Sequence, residues 1–158
     1  MQTEHPQPRT VSEQPTAVRR ATLSRRELVN WFASAYGEIA AYLSTHGLTA
    51  QGYPFARYHV RSDGRFDVEA GFGVGVRIAG NGFVLPSTLP GGEVVSAWHV
   101  GPYDEVGKTY GVLTDWLAEH RAEQAGDAWE IYHDPTTGDP SSWLTEVVQP
   151  FTPAEVDA

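Results

Sequence analysis

Residues 128–134 read AWEIYHD, and two of them could do chemistry together. In an extended chain alternate side chains share a face, so Glu130 and Tyr132 point one way and Trp129 and Ile131 the other. A carboxylate beside aromatic rings in a partly desolvated site attracts an organic cation, and each ring face adds roughly 0.5–2 kcal/mol by cation–π contact. Burial would also raise the basicity of such a carboxylate. Glu130 could then draw a proton from water next to a bound electrophile, with Tyr132 orienting the substrate. A solvated strand face would tolerate Glu130 equally well, and there it would do neither. The same alternatives apply to Glu146 in TEVV and to Glu69 in DVEA. Trp98, Tyr58 and Phe72, all on strand-like runs, are the candidate aromatic walls, although Trp98 would also suit a core position.

Other chemistries find little support. The chain has no cysteine, which removes disulfides, thiolate nucleophiles and cysteine-bound zinc. Its six histidines show no metal-binding spacing such as H-E-x-x-H. GFGVG (71–75) leads into another extended run rather than a helix, so it is a poor dinucleotide loop. No G-x-S-x-G elbow occurs. Neither a cofactor nor a metal is expected. A net charge of −9 opposes gripping a phosphate backbone, because that affinity comes from lysine and arginine displacing counterions. The acidic balance suits cationic ligands better. No apolar run approaches the roughly 18 residues that a membrane span requires, and no signal peptide is recognisable. A cytoplasmic protein with no direct nucleic-acid or membrane partner is the expectation.

The elements that must position these side chains can be read along the 158 residues. Residues 1–15 are polar and proline-containing, and are expected to form a loose arm. TAVRRA (16–21) suggests a first strand. SRRE follows, with Ser24 as N-cap and Glu27 completing a capping box. The helix it opens carries Leu28, Trp31, Phe32, Ala35, Ile39, Tyr42 and Leu43 at three- and four-residue spacing, and should end near His46–Gly47. YPFARYHV and RFDVEAGFGVGV read as strands joined by Ser-Asp-Gly. Residues 76–91 are rich in glycine and proline, and read as a linking loop or hairpin around Asn81–Gly82. EVVSAWHV is a strand, and GPYDEVGKTYGVLTDWLAEH a second helix with Pro102 in its first turn and Val106, Tyr110, Leu113 and Leu117 on its apolar stripe. His99, Gly101, Pro102 and Tyr103 are expected to fix the strand-to-helix connection. AWEIYHD and SWLTEVVQPF supply two more strands, separated by a turn with Pro135, Gly138 and Pro140. Residues 152–158 form a frayed tail.

The halves repeat. A shift of 74 positions places Tyr110 on Tyr36, Gly111 on Gly37, Leu117 on Leu43, His120 on His46, Gly126 on Gly52, Tyr132 on Tyr58 and His133 on His59. Average residue usage would give roughly one or two such identities. A turn three residues longer in the second half brings Glu146 onto Glu69. Each half (16–75 and 92–151) is therefore a β-α-β-β unit whose helix covers one sheet face. The expected fold is α+β, a single domain over 16–151 with an antiparallel-rich sheet, two helices on one face and a ligand groove at the junction on the face away from them. Trp129 and Ile131, the more apolar pair, should pack beneath the helices, leaving Glu130 and Tyr132 for the groove.

HVGPYDEVGKTYGVLTDWL, WEIYHDP and TEVVQPF, in that order, resemble the GyrI-like small-molecule-binding domain, which also serves as the effector-binding module of AraC- and MerR-type regulators. The resemblance covers about residues 16–151. It implies a duplicated strand-helix-strand-strand fold that binds bulky cationic or aromatic compounds. By motif position Glu130 and Glu146 are similar to the family's pocket carboxylates, and Tyr132 to an aromatic pocket residue. Some relatives hydrolyse electrophilic rings of toxic natural products, and the founding member is associated with inhibition of DNA gyrase. Three functions thus follow: reversible binding of hydrophobic, cationic or aromatic molecules for sensing or sequestration, hydrolysis of electrophilic toxins at the same Glu, or interaction with a protein such as gyrase. With about fifteen residues before the first strand, no DNA-reading domain is expected in this chain.

Overall fold

The computed structural model describes residues 5–102, 105–133 and 143–154. In chain order these form β1 (Gln7–Val11), β2 (Gln14–Leu23), a 3-10 turn (Arg25–Glu27), α1 (Leu28–Thr45), β3 (Gln51–Val60), β4 (Phe66–Gly73), β5 (Leu85–Leu89), β6 (Gly92–Val100), α2 (Gly107–Glu119), β7 (Glu123–Gln124), β8 (Trp129–Tyr132) and β9 (Leu144–Thr152). The class is α+β with antiparallel pairing. Contacts divide the chain into two compact units, residues 12–91 and residues 1–11 with 92–158.

In the unit of residues 12–91, β4 pairs with β3 and β2, and β5 with the other edge of β2. The capping box forms as the sequence suggests: the Ser24 backbone N–H donates to Glu27 Oε1 at 2.8 Å, and the 3-10 turn leads into α1. The helix stops where Gly47 takes φ +66, and the Leu48 N–H closes back on the Leu43 carbonyl at 2.8 Å. One stripe of α1 (Ile39, Tyr42, Leu43) packs with Ala17, Val74, Ile78 and Val84 to make the core. The expected turn around Asn81 is present, its side-chain oxygen accepting from the Phe83 and Val84 N–H groups. The segment 76–91 nevertheless contains a strand, β5.

In the other unit β6 lies between β1 and β9, and β9 also pairs with β8 and β7. Leu113 and Leu117 of α2 pack on Val95, Ala97, Val147 and Phe151. Here the arm expected over residues 1–15 is corrected. Residues 7–11 are a strand on the edge of β6, held by backbone pairing and by Arg9, whose Nη1 donates to Ser96 Oγ at 2.6 Å. The short β7 has no counterpart in the sequence reading. Tyr103, Pro135, Gly138 and Pro140 lie outside the described residues. No described helix is long and apolar enough to cross a membrane.

Candidate ligand site

Residues paired across antiparallel strands share a face, so the register settles where each candidate points. Val147 lies in the core beneath α2. Its partners are Ala97 on β6 and Glu130 on β8; one step along, Thr145 is opposite His99 and Tyr132. Glu130 and Tyr132 therefore project toward α2. This overturns the expectation that Trp129 and Ile131 occupy the helix side. The face away from α2 is also buried, with Val94 1%, Val148 1% and Trp129 4% exposed, so an apolar pair was no guide to direction.

Beneath α2, Glu130 is 6% exposed and is held by two phenols. Tyr110, on the second turn of α2, donates to Glu130 Oε2 at 2.6 Å, and Tyr132 donates to Oε1 at 2.9 Å. Both rings are only half-buried, flanking a carboxylate that is fully buried. No cationic side chain pairs with Glu130 among the described residues. Burial pushes its pKa above the usual carboxylate range, and the hydroxyls of Tyr110 and Tyr132 offset part of that rise. The result is a carboxylate of raised pKa in a low dielectric, with no cationic side chain beside it among the described residues.

Glu146 and Trp98 form a different arrangement. They are cross-strand partners on the face away from α2. Glu146, also 6% exposed, receives Arg9 Nη2 at 3.0 Å and faces His133 Nε2 at 3.2 Å. The Trp98 and His133 rings meet edge-on at 4.6 Å between centroids. Arg9 supplies Glu146 with a positive charge, so Glu146 is an internally matched group.

In the other unit Glu69 is likewise matched, by Arg20 Nε at 2.8 Å and Ser87 Oγ at 2.8 Å, on the face away from α1. Tyr58 and Phe72 are on the α1 side. Phe72 is opposite Ala17 of the core, and its ring lies 5.7 Å from Tyr36; Tyr58 is 6.3 Å from Phe32 and 6.1 Å from Phe66. With Phe32 and Tyr36 stacked at 5.8 Å, the five rings make a continuous half-buried row. The structure thus separates the seven candidates. Glu130, Tyr132, Tyr58 and Phe72 face the helices, whereas Glu146, Trp98 and Glu69 face away.

Tyr110 and Arg9 are the members that sequence reasoning missed. Tyr110 was legible as part of the apolar stripe of α2, and a buried phenol requires a hydrogen-bond partner. A carboxylate on the strand below was the available one. Nothing in the composition of residues 1–15 marked Arg9. No group of histidine and acidic side chains capable of holding a metal occurs among the described residues.

Comparison with known proteins agrees with this architecture. The chain matches the model of the GyrI-like small molecule binding domain over residues 6–151. Among solved structures it resembles the C-terminal domain of EcmrR, with a TM-score of 0.81 at 21% identity over 98% of this chain and 100% of that one. It also resembles a hydrolase from Listeria innocua (TM-score 0.68, 15% identity, 94% of this chain and 92% of that one). A third is SAV2435 bound to tetraphenylphosphonium (TM-score 0.69, 14% identity, 94% of both chains). No curated protein matches in sequence.

Proposed function

The chain belongs to the family of GyrI-like small-molecule-binding domains, and from that premise we propose that it binds hydrophobic organic cations, with Glu130 as the anchor. The observation that carries this is the buried carboxylate held by Tyr110 and Tyr132 with no described cation beside it. A ligand bringing a delocalised positive charge loses little on desolvation and supplies the countercharge. The half-buried tyrosine rings offer apolar area and π-faces with few rotors to freeze. Such recognition reads charge and bulk rather than detailed shape, which suits sensing or sequestering a range of toxic compounds. The tetraphenylphosphonium complex of SAV2435 supports that ligand class and supplies a probe.

Titration calorimetry with tetraphenylphosphonium tests the reading. A unit charge pair about 5 Å apart at an effective dielectric of about 20 interacts by about 3 kcal/mol, so Glu130→Gln should weaken binding on the order of 100-fold. Unchanged affinity in that variant, or no binding by the wild-type chain, refutes it. Hydrolysis of electrophilic ring compounds is a second reading, favoured by the raised basicity of Glu130 and by the likeness to the Listeria hydrolase. Time-dependent loss of such a compound, abolished in Glu130→Gln, would support it; stable reversible binding would not.

A further inference from the structure

Next to Glu130 two buried polar atoms have no hydrogen-bond partner among the described residues. His99, Thr145 and Tyr132 form one row across β6, β9 and β8, adjacent to the row of Ala97, Val147 and Glu130 and on the same face. His99 and Thr145 are both 0% exposed, and among the described residues neither His99 Nδ1 nor Thr145 Oγ1 has a hydrogen-bond partner. The tautomer of His99 follows from its other nitrogen. Nε2 lies 3.0 Å from the Pro102 carbonyl oxygen, which can only accept, so Nε2 carries the proton and Nδ1 of the neutral ring is an acceptor. The Thr145 hydroxyl can donate.

The repeat shows that the fold does not require these groups. In the unit of residues 12–91 the same two rows read Ala21, Val68, Tyr58 and Arg19, Ala70, Ala56. Only the tyrosine is shared with the His99 row. His99, Thr145 and Glu130 stand where the other unit places Ala21, Val68 and Ala56, the last two buried and Ala21 half-buried. Three polar groups replacing three small apolar ones on one patch carry a desolvation cost that packing alone would not retain.

We infer that His99 Nδ1 and Thr145 Oγ1 form a subsite for a ligand hydroxyl group, its hydrogen directed to Nδ1 and its oxygen accepting from Thr145. This rests on Glu130 as the cation anchor. A carbonyl would leave Nδ1 unmatched and an ammonium would leave the threonine proton unmatched. Neighbouring strands lie about 4.8 Å apart, which sets Thr145 about 5 Å and His99 about 10 Å across the sheet from the strand of Glu130. The ligand class is therefore a hydrophobic cation that carries an alcohol or phenol at that span from its charge.

The test compares tetraphenylphosphonium with the three positional isomers of (hydroxyphenyl)triphenylphosphonium by calorimetry. At least one isomer should bind the wild-type chain about tenfold more tightly than the parent. Thr145→Val and His99→Leu should each remove that preference while changing affinity for the parent by less than about twofold, on the order of measurement error. Without ligand, Thr145→Val, which copies Val68, should raise the melting temperature. Equal affinity for the parent and all three isomers overturns the subsite and leaves the Glu130 anchor standing, provided that Glu130→Gln still weakens the parent. No binding of the parent overturns both. A lowered melting temperature in Thr145→Val would show that the hydroxyl serves the fold, and would also overturn the subsite.

Discussion

Tyr110 and Tyr36 are equivalent in the repeat and donate to chemically different acceptors, which makes the pair a controlled experiment on Glu130. The Tyr36 hydroxyl donates to the Phe55 carbonyl at 2.7 Å, and that of Tyr110 to the Glu130 carboxylate at 2.6 Å. Replacing each by phenylalanine deletes one oxygen from a half-buried ring at the equivalent repeat position of its helix. A bond to a neutral carbonyl contributes about 0.5–1.5 kcal/mol net, and one to a charged group about 1.5–3 kcal/mol. For a chain of this size about 1 kcal/mol shifts the melting temperature by about 2–4 °C. Tyr36→Phe should thus cost about 2–4 °C and Tyr110→Phe about twice that. The pH dependence separates them further. The Tyr110 hydroxyl favours the ionised form of Glu130, so its deletion raises the carboxyl pKa in the folded state still more. The deficit of Tyr110→Phe is then complete above that pKa and shrinks as pH falls through it, while that of Tyr36→Phe stays flat. Urea unfolding of both variants across the pH range measures this. Equal, pH-independent deficits would show that Glu130 is not an ionisable partner of Tyr110.

Glu130→Gln should show the corresponding linkage. The pKa of Glu130 is raised in the folded chain from the ordinary value of 4.5, so between that value and the folded one the native state holds a proton that the unfolded chain has lost. Wild-type stability relative to the variant should therefore fall as pH rises through this window and level off above it; a difference that grows in the wild type's favour contradicts the assignment. Arg121 ends α2 with φ 54 where its repeat counterpart Gly47 has φ 66. Arg121→Gly should therefore stabilise the chain by about 1 kcal/mol in thermal unfolding, and a lower melting temperature would contradict strain at that position.

Much of the architecture was legible because periodicity and punctuation carry it. The three- and four-residue spacing of Ile39, Tyr42 and Leu43, the Ser24–Glu27 box and Gly47 mark α1 at both ends, and the shift of 74 positions reveals that the second half copies the first. The face of β8 was not legible for a physical reason. Alternation reports direction only where one sheet face is wet, and Trp129 at 4% and Glu130 at 6% exposure are buried on opposite faces. Of the carboxylates that the motifs suggested, Glu146 and Glu69 proved to be matched by Arg9 and Arg20, pairings set by strand register rather than by local sequence. Glu130 alone among these three lacks a described cation, and its partner Tyr110 arrives from a helix twenty residues earlier in the chain.

A crystal structure of the chain with tetraphenylphosphonium tests the central claim most directly. The phosphonium should lie on the α2 side of the sheet, with its charge about 4–6 Å from the Glu130 carboxylate and its rings against Tyr110 and Tyr132. A ligand seated instead on the opposite face beside Glu146 and Trp98, with Arg9 displaced and Glu130 untouched, would contradict that claim.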